Sequence, residues 1–232
     1  MAATKAASAP RGADVVPIES LHDRKLRLVR RQLAEIALST ILERGFDAVT
    51  IDEIATAAGI SRRSFFRYFA TKEEVVTGAF DDAGDVLFAV FATRPRTESP
   101  LQALRASLQP ILEAFESQPV RMRTMLRLIR KTPALRGHYL VKQDDWADQL
   151  AVAIRARLPK SHGALLLAQL TARVGVAAID AAMMAWIERD DGDLASIADA
   201  AFAAIDVAQT ATAPTARRKR GGSTTNEEKV TR

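Results

Sequence analysis

Residues 50–74 read TIDEIATAAGISRRSFFRYFATKEE, and this stretch decides the fold. Thr50-Ile51-Asp52-Glu53 has the form of a capping box, in which a hydroxyl and a carboxylate three residues apart each accept a backbone N–H of the other. The apolar run behind it stops at Ala58-Gly59, where glycine takes the positive φ that ends a helix. Ser61 is placed to cap a second short helix running to Phe69, and Thr71-Lys72-Glu73-Glu74 has the form of another capping box. Two short helices joined by a tight turn, Ile51–Ala57 and Ser61–Arg67, have the size of a helix-turn-helix. Ala55 leaves space for the second helix to cross, Gly59 serves the turn, and Ile54, Ile60 and Phe65 supply the shared apolar contact. The remaining face of the second helix carries Arg62, Arg63, Ser64 and Arg67, followed by Tyr68 and by Lys72 at the start of the next helix. Arginine reaches guanine O6 and N7 bidentately in the major groove, whereas Ser, Tyr and Lys suit phosphate oxygens. An isolated arginine cluster reads as a solvated face; on the second helix of this motif it reads as a DNA-binding surface. Phe65 and Phe69, four residues apart, point inward.

Outward from this motif the pattern stays helical, which predicts an all-α protein. In 24–44, Leu26, Val29, Leu33, Ile36, Ala37, Thr40 and Ile41 fall on one face, and Gly45 follows as a stop. A long amphipathic helix is expected from Thr71 to Val90. Pro95 and Pro100 then punctuate a loop. Further helices are expected at 101–117, 120–131, 138–158, 163–188 and 194–209, separated by Pro119, Pro133, Pro159 and Gly192. This divides the chain into a disordered arm (1–20), a helix-turn-helix DNA-binding domain (21–72), a helical ligand-binding and dimerisation domain (73–209) and a disordered basic tail (210–232). The Arg217, Arg218, Lys219, Arg220 run in the tail reads as a solvated charge cluster, with contact to nucleic acid as the weaker alternative.

The chain has 232 residues, of which 48% are hydrophobic, sufficient for a sizeable core. Zero cysteines exclude a disulfide framework, a thiolate metal site and cysteine nucleophiles. His22, His138 and His162 are far apart in sequence, which argues against histidine-based metal or catalytic sites; no metal, cofactor or catalytic residue is expected. A helical-bundle enzyme using Asp144, Asp145 and Asp148 is a weaker alternative, since no Glu-x-x-His motif accompanies them. The net charge of +5 is mild and matters only where it clusters. Residues 163–188 approach the apolar content of a membrane span, but Arg173 and Asp180 each oppose insertion by roughly 2.5–3.5 kcal/mol. A buried or dimer helix, and a cytoplasmic protein without a membrane partner, is expected instead.

The stretch from Gly45 to Glu74, with Thr50-Ile51-Asp52-Glu53-Ile54-Ala55, Gly59-Ile60-Ser61 and Ser64-Phe65-Phe66-Arg67-Tyr68-Phe69, resembles the DNA-binding domain of TetR-type regulators. The resemblance covers roughly residues 24–80. It implies that Arg62, Arg63, Ser64, Phe66 and Tyr68 face DNA while Thr50 and Lys72 hold phosphates. Phe66 stands where many members have Tyr, which leaves apolar contact with a sugar or thymine methyl as its role. The same run is similar to a branch that includes regulators of the mycofactocin system, some responsive to acyl-CoA.

The resemblance also implies a homodimer on a palindromic operator, with 163–188 and 194–209 forming a four-helix interface, and repression relieved by an effector. A non-specific architectural DNA binder is the alternative. A cavity for a small, mostly apolar effector such as a fatty acid or acyl-CoA is expected among 101–188. Phe115, Met122, Met125, Leu126, Trp146 and Met183 are its candidate lining, with Arg121 or Arg127 at its mouth for an anionic head. Unless such a ligand recruits one of its arginines, the basic stripe of 120–131, comprising Arg123, Arg127, Arg130 and Lys131, is expected to be solvated or paired with Asp81, Asp82 and Asp85.

Overall fold

The computed structural model describes residues 21–189 and 192–211, and every regular element among them is a helix. The arm 1–20 and the basic run Arg217–Arg220 lie outside the described residues. Helix α1 (Leu21–Arg44) buries Leu33, Ala37, Leu38 and Ile41. Leu26 and Ile36, expected on that face, are 41% and 40% exposed. The contact face is rotated toward Leu38 because α1 is touched on several sides rather than one.

The motif follows as α2 (Ile51–Ala57) and α3 (Arg62–Tyr68). A long helix expected from Thr71 is instead two, α4 (Lys72–Thr77) and α5 (Ala79–Thr93), jogged at Gly78. There the ladder tightens, with the Asp81 N–H bonding the Gly78 carbonyl three residues back at 3.0 Å. Likewise, the helix expected over 101–117 is divided into α6 (Pro100–Ser107) and α7 (Gln109–Glu116). Pro110 has no N–H to donate and its ring crowds the carbonyl four residues back, so the helix cannot run through. Two prolines expected to separate helices instead open them: α8 spans Pro119–Lys131 and α9 spans Pro133–Arg155, five residues earlier than expected. Proline suits the first helical turn because the N–H it lacks has no partner there.

Helix α10 (Ala164–Glu188) packs between α9 and α11 (Leu194–Ala211). It is long and apolar enough to cross a membrane by length and composition, yet its small-residue face is buried in the bundle. A Cβ on Gly175 would lie 2.2 Å from Leu104 Cδ2, so the absence of a side chain is what lets α6 approach. Arg173 sits on the surface of α10, paired with Asp144 at 2.5 Å and Asp148 at 3.1 Å across to α9. Two of the three carboxylates of the enzyme alternative, Asp144 and Asp148, are therefore partners of an exposed arginine.

The basic stripe of α8 is not paired with the α5 aspartates. Arg127 donates twice to the Ile187 carbonyl, at 2.7 and 3.2 Å, Arg123 donates to the Arg189 carbonyl, and Arg130 pairs with Glu188. Helix α10 ends with an acid and no basic residue in its last turn, and α8 supplies the cations that its terminal carbonyls attract. Asp81 and Asp82 are taken by other partners: Lys142 of α9 and Arg30 of α1 hold Asp81, and Arg31 holds Asp82 at 2.9 Å.

Candidate nucleic-acid interface and effector cavity

Local chemistry positions the recognition helix. Thr50 Oγ1 accepts the Glu53 N–H at 3.2 Å, and the Glu53 carboxylate accepts both the Thr50 N–H and its hydroxyl at 2.8 Å. Arg44 adds a contact to Glu53 at 2.6 Å. The bond from the Thr50 backbone N–H, and then that from Arg44, lowers the Glu53 pKa to about 2. At the other end of α2 the Gly59 N–H bonds the Thr56 carbonyl at 3.0 Å and the Ile60 N–H bonds the Ala55 carbonyl at 2.9 Å. This is the Schellman arrangement, and its left-handed residue is Gly59 at φ +65°. Ser61 caps α3 by accepting the Ser64 N–H at 3.1 Å. Thr71 caps α4 in the same way, but Glu74 accepts from Ala70 at 2.6 Å rather than closing the box on Thr71.

Burial then sorts the side chains of α3. Phe65 and Phe69 are each 1% exposed, their ring centroids 5.5 Å apart, and they anchor the helix against Ile54 and Val75 in the core. Arg62, Arg63, Phe66 and Arg67 are exposed, with Ser64 and Tyr68 half-buried beside them. Arg62 lies 5.5 Å over the Phe66 ring and pairs with Asp52 of α2 at 2.9 Å, so its guanidinium is held near the start of α3. Arg67 donates to the Tyr68 hydroxyl at 2.8 Å. Thus Arg62, Arg63, Ser64, Phe66, Arg67 and Tyr68 share one helix surface, with Phe66 contributing an exposed apolar ring. The hydroxyl of Thr50 is engaged in its own cap. Lys72 has a different environment from that expected of a phosphate contact: its Nζ donates to the Phe46 and Val49 carbonyls at 2.7 and 2.8 Å and lies 4.1 Å from the Phe46 ring centre. It ties the turn between α1 and α2 to the start of α4, and one of its three donors remains.

A second feature lies among α8, α9 and α10, a cavity of about 660 Å³. Leu126, Ile129, Leu140, Met184 and Ala185 form its apolar wall, and Arg130, Arg136, Tyr139, Gln143, Asp180 and Glu188 its polar one. Of the six expected lining residues, Leu126 alone is in this wall. Phe115 and Trp146 pack around Phe80, with ring centroids 6.2 and 6.5 Å from it, while Met125 and Met183 are buried in the core and Met122 is half-buried against it. Arg121 and Arg127 are also outside the cavity. Arg121 pairs with Glu35 of α1 at 2.5 Å, and Arg127 caps α10. The arginines at the cavity are Arg130 and Arg136. Tyr139, Gln143 and Asp180 were missed by sequence reasoning, although an aspartate alone among the alanines and methionines of α10 is a signal that such a helix carries a polar site.

The N-terminal geometry has known relatives. Residues 34–78 match the family model for bacterial regulatory proteins of the tetR family, and residues 98–208 match that for the MftR C-terminal domain. The HTH-type transcriptional regulator TcmR of Streptomyces glaucescens is 32% identical over 196 residues, covering 80% of this chain and 85% of that one. The chain belongs to the TetR family of regulators. A mycofactocin biosynthesis transcriptional regulator, MftR of Mycobacterium tuberculosis, is 30% identical over 142 residues, 61% of this chain and 72% of that one. Two solved structures of transcriptional regulators share the fold. A TetR-family regulator from Streptomyces coelicolor has a TM-score of 0.54 at 19% identity, covering 78% of this chain and 94% of that one. The regulator FadR of Bacillus subtilis, solved with stearoyl-CoA, has a TM-score of 0.52 at 15% identity, covering 75% and 95%. As a TetR-family member this chain is a ligand-responsive, DNA-binding transcriptional regulator with a C-terminal ligand-binding region, and its homologues are named as regulators rather than enzymes. TetR regulators bind DNA operators as dimers.

Proposed function

We propose that this regulator is a cytoplasmic repressor that binds a palindromic operator as a homodimer and is released by a small, mostly apolar effector. In this reading residues 21–72 are the reading head, and residues 73–209 sense the effector and dimerise. Arg62 and Arg63 read base edges in the major groove, Ser64, Arg67 and Tyr68 bind the backbone, and Phe66 makes apolar contact. Thr50 and the remaining donor of Lys72 lie at the edge of the phosphate contacts. The observation that carries the reading is the exposed basic face of α3, on a helix whose other face is clamped by Phe65 and Phe69. A single head spans few base pairs, and twofold symmetry repeats its contacts one helical turn apart, about 34–36 Å, or a multiple of that.

Support for the dimer surface comes from the stripe of exposed alanines on the last two helices, Ala177 and Ala181 on α10 and Ala200 and Ala204 on α11. Small side chains allow close helix approach. Fatty acids and acyl-CoAs are among the mostly apolar effectors this reading includes, supported by the fold shared with the stearoyl-CoA-bound regulator. The test is to select DNA fragments with the purified protein and sediment the complex. A palindrome bound by two chains is expected, with Ala181→Arg giving monomers. Binding of all duplexes with equal affinity, or an unchanged dimer in Ala181→Arg, would overturn it.

A further inference from the structure

The floor of the cavity among α8, α9 and α10 has a chemistry that an unbroken hydrocarbon surface lacks. Asp180 comes from the run 174–187 of α10, whose other residues are apolar, and is half-buried. Tyr139, 7% exposed, donates its hydroxyl to Asp180 Oδ1 at 3.0 Å. Burial first, and then the neighbouring Asp180 charge, push the Tyr139 pKa well above its ordinary value, so the phenol keeps the proton that it donates. Arg130 is engaged by Glu188, and Arg136 stands exposed on the cavity edge rather than against the aspartate. The carboxylate therefore has one hydrogen-bond donor from the protein and no cation of its own among the described residues.

We propose that this cavity takes an amphiphilic ligand whose apolar body lies on Leu140 and Met184 and whose hydrogen-bond donor, an amine or hydroxyl, meets Asp180. A hydrocarbon chain laid across the carboxylate would strip its water without replacing the hydrogen bonds that water made, and a ligand carboxylate would set like charge against it. A donor group resolves both problems, and a cationic amine adds charge assistance. The proposal rests on the reading of the chain as an effector-responsive regulator and specifies the effector's polar end.

The test uses the full chain and four probes that share a ten-carbon body: decylamine, 1-decanol, decanoate and decanoyl-CoA, each below its micelle-forming concentration. Calorimetry on the DNA-free protein should show the amine and the alcohol binding at least tenfold more tightly than decanoate. The preference should disappear in the double variant Asp180→Leu, Tyr139→Phe, which removes both hydrogen-bonding partners together and leaves neither orphaned. Tyr139→Phe alone keeps the carboxylate and should keep the preference. If the double variant does not fold, Met184→Trp should weaken all four probes at least tenfold by filling the apolar wall. Equal binding of the four probes to the parent, tighter binding of decanoate or decanoyl-CoA, or an unchanged preference in the folded double variant would overturn the proposal. The favoured probe should also weaken affinity for the selected operator fragment at least tenfold, and no change there would overturn its role as effector. Failure to select any operator would count instead against the DNA-binding reading, while the calorimetric comparison still decides the cavity.

Discussion

Helices α3 and α8 both carry arginines at helical spacing, Arg62, Arg63 and Arg67 on one and Arg121, Arg123, Arg127 and Arg130 on the other. On α3 they remain on the surface, the internal contacts of Arg62 and Arg67 being made close by in the chain, to Asp52 ten residues earlier on α2 and to the adjacent Tyr68. On α8 they reach residues about sixty or more positions away, closing the carbonyl end of α10 and gripping Glu35 of α1. The same residue type in a similar pattern is thus left at the surface in one place and used as internal mortar in the other. What separates them is the neighbour: α3 faces outward from a small domain, whereas α8 lies beside a long helix whose last turn has an acid and no cation.

The largest effect expected from this contrast is on DNA. Replacing Arg62 and Arg63 together by Ala should cost about 1–3 kcal/mol of operator binding for each bidentate arginine–guanine pair removed and relax the sequence preference. Thermal stability should change little, because the ion pair that goes with them, Arg62 with Asp52, is exposed. Titration of selected and scrambled duplexes, with a melting curve for each protein, checks both halves. Tight, sequence-selective binding by the folded double variant would end the assignment of α3 as the reader.

Next in size is Lys72→Met. It leaves the Phe46 and Val49 carbonyls without their cationic donor and removes the interaction with the Phe46 ring, which together stabilise by about 2–4 kcal/mol. Denaturant unfolding should register the destabilisation, and the salt slope of DNA binding shows how far the third donor reaches a phosphate. A slope lowered by about 1 with stability intact would make Lys72 a phosphate contact first and a structural residue second.

Arg127→Met sharpens the other side of the comparison. It should destabilise by about 1–3 kcal/mol through the uncapped Ile187 carbonyl. The preferred DNA sequence should remain the same. A changed sequence preference would mean that α8 belongs to the reading surface after all.

The smallest effect concerns acid. The Glu53 pKa is depressed to about 2 from an ordinary 4.5, so its contribution to the α2 cap is complete above the ordinary value and disappears as the pH falls toward 2. Glu53→Gln should be less stable than the parent at neutral pH and should lose less over that interval, the two melting curves converging near pH 2. Parallel curves throughout would show that the carboxylate's charge does not stabilise the cap.

The motif was legible because its signals are short-range. Thr50, Glu53, Gly59 and Ser61 act within three or four residues of themselves, and Phe65 reaches the core by helical periodicity, with Phe69 following at the extended cap of the same helix. The breaks at Gly78 and Pro110 were less visible, since an apolar face continues across each while the backbone does not. Five of the six expected cavity residues have a bulk and adaptability that suit a packed core equally well; Phe115 and Trp146 pack around Phe80. In the sequence Asp180 stands only as an obstacle to membrane insertion, because its role depends on Tyr139, forty-one residues earlier.

By itself the sequence determined an all-helical chain with a capped helix-turn-helix and an arginine-bearing second helix, because capping, glycine geometry and periodicity operate over one or two turns. Only the tertiary structure decided which cations were left for a partner and which closed the protein upon itself, and where a cavity opened. Those outcomes depend on which helix ends and faces are brought within about 3 Å of one another, the range over which a hydrogen bond forms.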